Sequence, residues 1–350
     1  MSRPISISKP VIAITMGDPG GIGPEVILKS LHGGTPSSVY YLVIASRDVF
    51  EYAGDRSQIP FQAHLVPTLE PTLLRAGEIN FLDITREAEA LYERAFGTKR
   101  PRDEICTAGK VSQWNAALGL TALKVGAYQA ACGLVQGLVT APLHKEAIRL
   151  VDPKFSGHTE YLAKVARVKQ FAMMFVSPRL RVTLATIHLA LQKVSRALNK
   201  ESIVEKISLT HEFLKTRLKI QAPRIGVCAL NPHGSEFGTE ETEIIRPAVE
   251  EARQLGANVE GPLSGDQIFY DAYHGTWDAV VAMYHDQGLA PFKMIAFHEG
   301  VNVTLGLPYL RVSPDHGAAF QIAYQNKANP SAFQSALKFA SRLLAGDGSS

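Results

Sequence analysis

Val11-Ile12-Ala13-Ile14-Thr15-Met16-Gly17-Asp18-Pro19-Gly20-Gly21-Ile22-Gly23-Pro24-Glu25 is the stretch that decides the fold class. Its first six residues form a short apolar run bounded by Pro10 and Gly17, the pattern of a buried strand. Pro24 suits a first helical position, where its missing N–H costs nothing, so a helix is expected over Pro24–Leu31. A strand that turns through glycines into a helix begins an α/β alternation. The glycines would let backbone approach a ligand, and a helix N-terminus favours anions. Against that, the loop lacks the Lys-Ser/Thr pair of a P-loop and the spacing of a dinucleotide fingerprint, and Glu25 would repel a phosphate. From spacing alone an anion cradle and a tight strand-to-helix turn both stand.

Outward from this stretch the alternation continues. Strands are expected at Tyr40–Ala45, Leu134–Thr140, Phe171–Val176, Arg181–Thr186, Ile225–Leu230 and Ala279–Tyr284. Helices are expected at Ile84–Phe96, Ala116–Cys132, Glu201–Leu218, Glu240–Leu255, Ala318–Tyr324 and Ser331–Leu344. Glu240, Glu241 and Glu243 would complement the positive end of their helix dipole. The 350 residues exceed what one core usually fills, and no low-complexity linker divides them, so two lobes with a cleft between them are expected. A net charge of +3 is too mild for a nucleic-acid binder. No run of about 18 apolar residues suggests a membrane span, and the apolar run at Val11–Met16 is too short for a signal-peptide core. Cys106, Cys132 and Cys228 are scattered and odd in number, as in a cytoplasmic protein with reduced thiols.

Three histidines follow strands: His188 after Arg181–Thr186, His233 after Ile225–Leu230, His285 after Ala279–Tyr284. Ligands gather beyond the carboxyl ends of strands in parallel sheets. Three imidazoles brought together there would suit a divalent transition metal with positions open for substrate. Each alone reads more simply as a capped or core histidine. Ser156-Gly157-His158-Thr159-Glu160 offers a helix cap or donors to an anionic or hydroxylated ligand. The stretch from His285 to Ala318 concentrates polar residues and glycines. Its Lys293, Asn302 and Arg311 supply donors suited to a phosphate or carboxylate, while Val301, Val303 and Leu305 argue against a fully solvated loop.

Ile14–Glu25, Thr140-Ala141-Pro142-Leu143-His144-Lys145-Glu146, Gly157–Glu160, Leu230–His233, Met283–Gly288, Gly300-Val301-Asn302 and Asp315-His316-Gly317 occur in one order over nearly the whole chain. Together they resemble the 4-hydroxythreonine-4-phosphate dehydrogenase family of pyridoxal 5′-phosphate biosynthesis. The resemblance implies a two-lobed α/β/α fold similar to isocitrate and isopropylmalate dehydrogenases, with the active site in the interlobe cleft at a homodimer interface. It implies a nucleotide-side lobe of residues 1–140 and 305–350 and a metal, substrate and dimerisation lobe of 141–304. It implies that His188, His233 and His285 hold one divalent metal (zinc, magnesium or cobalt) with ligands drawn from both subunits. His158, Thr159, Lys293, Asn302 and Arg311 would contact a small phosphorylated substrate. Asp315, His316 and Gly317 would lie near the adenine end of NAD or NADP. Lys145, Asp266 and Asp286 are candidates for proton transfer or for orienting other groups. Departures at Gly234-Ser235, Ile187 and Pro314 leave room for a relative's substrate, such as threonate or erythronate 4-phosphate or an aromatic dihydrodiol. A metal-dependent hydrolase and a non-enzymatic phospholigand sensor are the rival classes.

Overall fold

The computed structural model describes residues 9–234 and 236–346; residues 1–8, Ser235 and 347–350 lie outside it. The chain divides into two compact units, one running to Arg167 and resuming at Leu307, the other Val168–Gly306.

In the first unit the strands are β1 (Val11–Thr15), β2 (Tyr40–Ala45), β3 (His64–Leu65), β4 (Ile79–Asp83), β5 (Gly137–Thr140) and β12 (Leu310–Pro314). They lie in the order β3-β4-β2-β1-β5-β12, every pair parallel. Helices α1 (Gly23–Leu31), α2 (Arg47–Ser57), α3 (Thr85–Phe96), α4 (Gln113–Ala131), α5 (Lys145–Arg149), α6 (His158–Val165) and α12 (Ser331–Ala345) accompany them. Strands buried on both faces read as unbroken apolar runs, which is why β1 and β2 stand out in the sequence. Ile12, Ile14, Leu42, Ile44, Phe50 and Phe81 are fully buried core residues. Residues 141–167, read from the sequence with the other lobe, pack here, since α5 and α6 lie on α4.

In the second unit the strands are β6 (Ala172–Val176), β7 (Arg181–Leu184), β8 (Arg224–Cys228), β9 (Asn258–Leu263), β10 (Ala279–Ala282) and β11 (Val301–Leu305). Their order is β11-β6-β7-β10-β8-β9. β6 runs antiparallel to both β11 and β7; β7, β10, β8 and β9 are mutually parallel. The helices are α7 (Val194–Ala197), α8 (Lys200–Thr216), α9 (Arg246–Gln254), α10 (Gly265–Tyr273) and α11 (His285–Ala296). Asn199 caps α8 by accepting from the Ser202 amide at 2.8 Å. The core joins Phe175, Val182, Leu184, Val280 and Ile268 to Leu289 and Phe292 of α11.

Two expected helices differ. Ala318–Tyr324 contains a single 3₁₀ turn, Phe320–Ile322, because Ala319 and Tyr324 on either side take positive φ (45° and 58°). Glu240–Leu255 begins as a π-helical turn, Glu241–Ile245, before α9. That widened turn carries Glu241 into the interior, where its side chain is fully buried.

The glycine loop after β1 closes on its own chain. A Cβ at Gly17 would lie 2.4 Å from the Pro142 carbonyl oxygen, and one at Gly21 2.4 Å from that of Ala318. The glycines thus make room for neighbouring backbone, and the tight-turn reading holds over the anion cradle.

Candidate active site

β7, β10 and β8 are parallel neighbours, so their carboxyl ends share one edge of the second unit. His188, His285 and His233 follow these ends. His285 is the first residue of α11. That helix lies tight on the sheet because residue 288 is glycine: a Cβ there would meet Val182 at 2.8 Å and Leu184 at 2.9 Å. The His188 and His285 rings have centroids 6.0 Å apart. One cation bound through facing nitrogens at about 2.1 Å could span such a pair. His285 Nδ1 lies 2.7 Å from Asp286 Oδ1. The carboxylate can only accept, so Nδ1 is the donor, and in the neutral ring Nε2 is the nitrogen left to offer a lone pair to a ligand.

His233 is held at φ 54°, a strained conformation for a non-glycine residue. Its ring neighbours Phe237 at 6.3 Å. Asp266 is held below the usual carboxylate range, first by the Ser264 hydroxyl donating at 2.6 Å and in smaller part by His233. His233, Asn231, Asp266 and Gln287 line a cleft of about 900 Å³ together with apolar residues such as Phe269 and Met294. Among the described residues no three His, Cys, Asp or Glu side chains come within reach of one metal ion. The chain therefore brings two of its three candidate histidines together and keeps the third beside Asp266. Lys293 lies two turns along α11, its ammonium 5.5 Å from the Phe297 ring centre. Asn302 sits on β11 opposite Phe175 of β6, and its buried Oδ1 has no hydrogen-bond partner.

In the first unit β1, β5 and β12 are parallel neighbours, and three loops leave their carboxyl ends. Arg311 on β12 is buried, and its Nη2 donates to Thr140 Oγ1 at 2.8 Å. Burial lowers its pKa to about 10, so it stays charged. His158, at the start of α6, is half-buried, and its buried Nε2 has no hydrogen-bond partner. Burial and the nearby Arg311 charge push its pKa down to about 3, so the imidazole is neutral at working pH. Thr159 follows it and is buried. Lys145 begins α5 on an exposed face. Asp315, His316 and Gly317 follow β12, and a Cβ at Gly317 would meet nothing within 4 Å.

Asp18 has no exposed surface; its Oδ1 accepts from the Gly20 amide at 2.8 Å, while Oδ2 has no partner. Burial pushes its pKa up to about 6, against the opposing pull of the Gly20 amide and His144. Between about pH 4, where the unfolded carboxyl ionises, and pH 6 the folded state binds more protons, so stability falls as pH rises through that window. Above it the cost persists at the order of 1–3 kcal/mol. Asp18→Asn should therefore raise thermal stability at pH 8 and leave it unchanged at pH 4. A gain equal at both pH values would mean that no buried charge is being relieved.

Sequence reading placed Thr140 and Gln287 in motifs and Glu241 at a helix start without their partners: Thr140 accepts from Arg311, Gln287 donates to Ala229, and Glu241 accepts from Leu230 and Asn231.

Histidines beyond parallel strand ends in one unit, and an Arg–Thr–His set in the other, stand where α/β proteins with parallel strands gather ligands. The chain belongs to the pyridoxal phosphate biosynthetic protein PdxA family, whose model matches residues 39–340. It is 42% identical over 338 residues to a 4-hydroxythreonine-4-phosphate dehydrogenase of Desulforapulum autotrophicum, covering 95% of each chain. It is 36% identical to a D-threonate 4-phosphate dehydrogenase of Pectobacterium atrosepticum, covering 95% of this chain and 99% of the relative. The crystal structure of 4-hydroxythreonine-4-phosphate dehydrogenase from Klebsiella pneumoniae superposes with a TM-score of 0.82 at 34% identity, covering 96% of this chain and all of that one. A terephthalate dihydrodiol dehydrogenase from Burkholderia xenovorans shares the fold, at 22% identity and a TM-score of 0.64. Among the described residues no helix is long and apolar enough to cross a membrane.

Proposed function

We propose that the protein is an NAD(P)-dependent dehydrogenase of pyridoxine 5′-phosphate biosynthesis. It oxidises 4-phosphooxy-L-threonine to 2-amino-3-oxo-4-phosphooxybutanoate, which loses carbon dioxide to give 3-amino-2-oxopropyl phosphate. The observation that carries this reading is the near full-length relation to 4-hydroxythreonine-4-phosphate dehydrogenases, at 42% identity over 95% of both chains.

The second unit's residues suit a divalent cation. His188 and His285 would ligate from one protomer and His233 from the partner in a homodimer, a reading supported by the two-plus-one placement of the histidines. When bound, the cation would act as a Lewis acid on the hydroxyl being oxidised and on the ketone formed. Asp286 holds the His285 ring through Nδ1, which would leave Nε2 as the ligating nitrogen. Asp266, kept ionised by Ser264, suits an orienting role beside His233 better than that of a base. Lys145, beyond the carboxyl end of β5, is the remaining candidate for moving the hydroxyl proton.

In the first unit Arg311 supplies a charged planar fork and Thr159 a hydroxyl donor for the substrate's anionic groups. His158 stays neutral, so it can donate to or accept from a substrate hydroxyl without adding charge. Lys293 and Asn302 would add donors from α11 and β11. The nicotinamide cofactor would supply the hydride acceptor; Asp315, His316 and Gly317, which follow β12, would receive its adenine end.

Relatives named D-threonate 4-phosphate dehydrogenases support a second reading, in which a hydroxyl replaces the substrate's 2-amino group. A turnover assay following absorbance at 340 nm, with both substrates and both cofactors, tests the assignment. Higher kcat/KM on 4-phosphooxy-threonine is expected. Preference for threonate 4-phosphate would move the chain to the second reading, and release of inorganic phosphate without reduced cofactor would favour a hydrolase.

A further inference from the structure

We infer that Gln287 and Glu241 are positioning residues that fix the histidine-bearing strand ends from outside the ligand set. The inference rests on the reading of those histidines as metal ligands. Ladder pairing stops before the histidines: β10 last matches β8 at Val281–Val227 and β7 at Ala282–Leu184. Beyond those pairs backbone bonding continues on the β7 side, where the Ala185 amide donates to the Ala282 carbonyl at 2.8 Å, and a side chain takes over on the β8 side.

The Met283 peptide, two residues before His285, is held at both ends. Its carbonyl accepts from the Thr186 amide at 3.2 Å and the Thr186 hydroxyl at 2.7 Å. Its amide donates to Gln287 Oε1 at 2.7 Å. The same Gln287 side chain donates through Nε2 to the Ala229 carbonyl at 2.7 Å, on the segment that leads to His233. One side chain thus continues the β8–β10 ladder past its last backbone pair. It needs an acceptor and a donor at once, which an amide supplies and an ionised carboxylate does not. An N3 residue in a capping box would serve its own N-cap amide alone; Gln287 instead joins two strands.

Glu241 secures the next two residues. Its Oε1 accepts from the Leu230 amide at 2.9 Å and the Asn231 amide at 2.7 Å, and Oε2 accepts from Asn231 Nδ2 at 3.1 Å. The residue so presented is His233, in its left-handed conformation. Neither Glu241 nor Gln287 need touch the cation to set the angle at which imidazoles meet it.

The test is Co²⁺ titration of the full-length protein without substrate, read by the visible absorbance of bound cobalt, beside apoprotein melting. Gln287→Ala should weaken Co²⁺ at least about tenfold, the range for groups that orient ligands, and should change the band shape. The control is Asn80→Ala. Buried Asn80 is an equally bonded clamp in the first unit, donating to the Tyr41 and Arg75 carbonyls and accepting from the Arg75 amide. Its loss should lower the melting temperature and leave Co²⁺ affinity unchanged. If Gln287→Ala does not fold, Gln287→Glu is read instead; it keeps the acceptor for Met283 and loses the donor to Ala229, and should also bind Co²⁺ more weakly than wild type. Wild-type affinity in the Gln287 variant, or an equal loss in Asn80→Ala, overturns the inference. His285→Ala separates the two levels. If it loses Co²⁺ while the Gln287 variant retains it, only the positioning role fails; if it too binds normally, the metal reading fails and the positioning role with it.

Discussion

His285→Ala is expected to lower kcat/KM for phosphorylated hydroxy-acid oxidation by about 10³-fold and to leave a protein that added divalent metal no longer activates. The size follows from what Lewis-acid stabilisation of a developing charge is worth, several kcal/mol, at 1.36 kcal/mol per factor of ten. The fold should survive. His285 is a partly exposed first residue of α11, and that helix is anchored by Leu289 and Phe292 rather than by the imidazole. His188 would lose the ring that lies 6.0 Å from its own, and the Asp286 carboxylate would have no ring to orient. The measurement is steady-state kinetics before and after exhaustive chelation, with metal added back. Wild-type turnover that persists through chelation would remove the basis for any metal role. A His285→Ala enzyme with near-normal kcat would place the reacting hydroxyl elsewhere.

The histidines could be picked out from sequence because each follows an apolar strand, and strand ends are where parallel sheets expose side chains to ligand. β1, β2 and β10 were legible for the same reason: burial on both faces leaves no polar interruption. α11 was not. Asp286, Gln287, Gly288 and Pro291 within twelve residues look like loop chemistry, and only the packed helix shows why each is there. Asp286 holds an imidazole, Gln287 joins two strands, and Gly288 lets the helix touch β7. β11 and β12 were hidden because Asn302, Thr304 and Arg311 interrupt the apolar pattern, although Thr304 and Arg311 are buried. Glu241 was misread for a related reason. Three glutamates near a helix start satisfy a dipole argument completely, so nothing local distinguishes the one that turns inward to hold Leu230 and Asn231. The glycine loop shows the converse, since its composition suited a ligand while the atoms that Gly17, Gly20, Gly21 and Gly23 admit belong to the chain itself, among them Pro142, Asn115, Ala318 and Met16.

Arg311→Lys should raise KM for the phosphorylated substrate by about 10²-fold, consistent with the ~1.5–3 kcal/mol carried by hydrogen bonds to a charged group, and should change kcat less. Both side chains are cations, so the comparison isolates geometry. The guanidinium is a planar fork whose Nη2 is fixed by Thr140 at 2.8 Å, while an ammonium is a compact point charge that cannot hold that bond and present a flat pair of donors together. Lysine also tolerates burial less well, and the site is buried beside an imidazole already held neutral by burial and by the Arg311 charge. Substituting lysine therefore weakens anion binding even where its charge is retained. The same substitution assayed on the dephosphorylated substrate assigns the partner. If Arg311 serves the phosphate, the two enzymes should then differ by less than about threefold, because the interaction that separated them, worth ~1.5–3 kcal/mol, is gone from both. If the full loss persists, Arg311 serves the carboxylate instead, and the phosphate must be met by other donors such as Lys293 and Asn302. Thr140→Val adds an independent check on the argument from geometry. It leaves the charge in place and removes only the acceptor that orients the fork, so it should raise KM in the same direction by a smaller factor, with kcat kept.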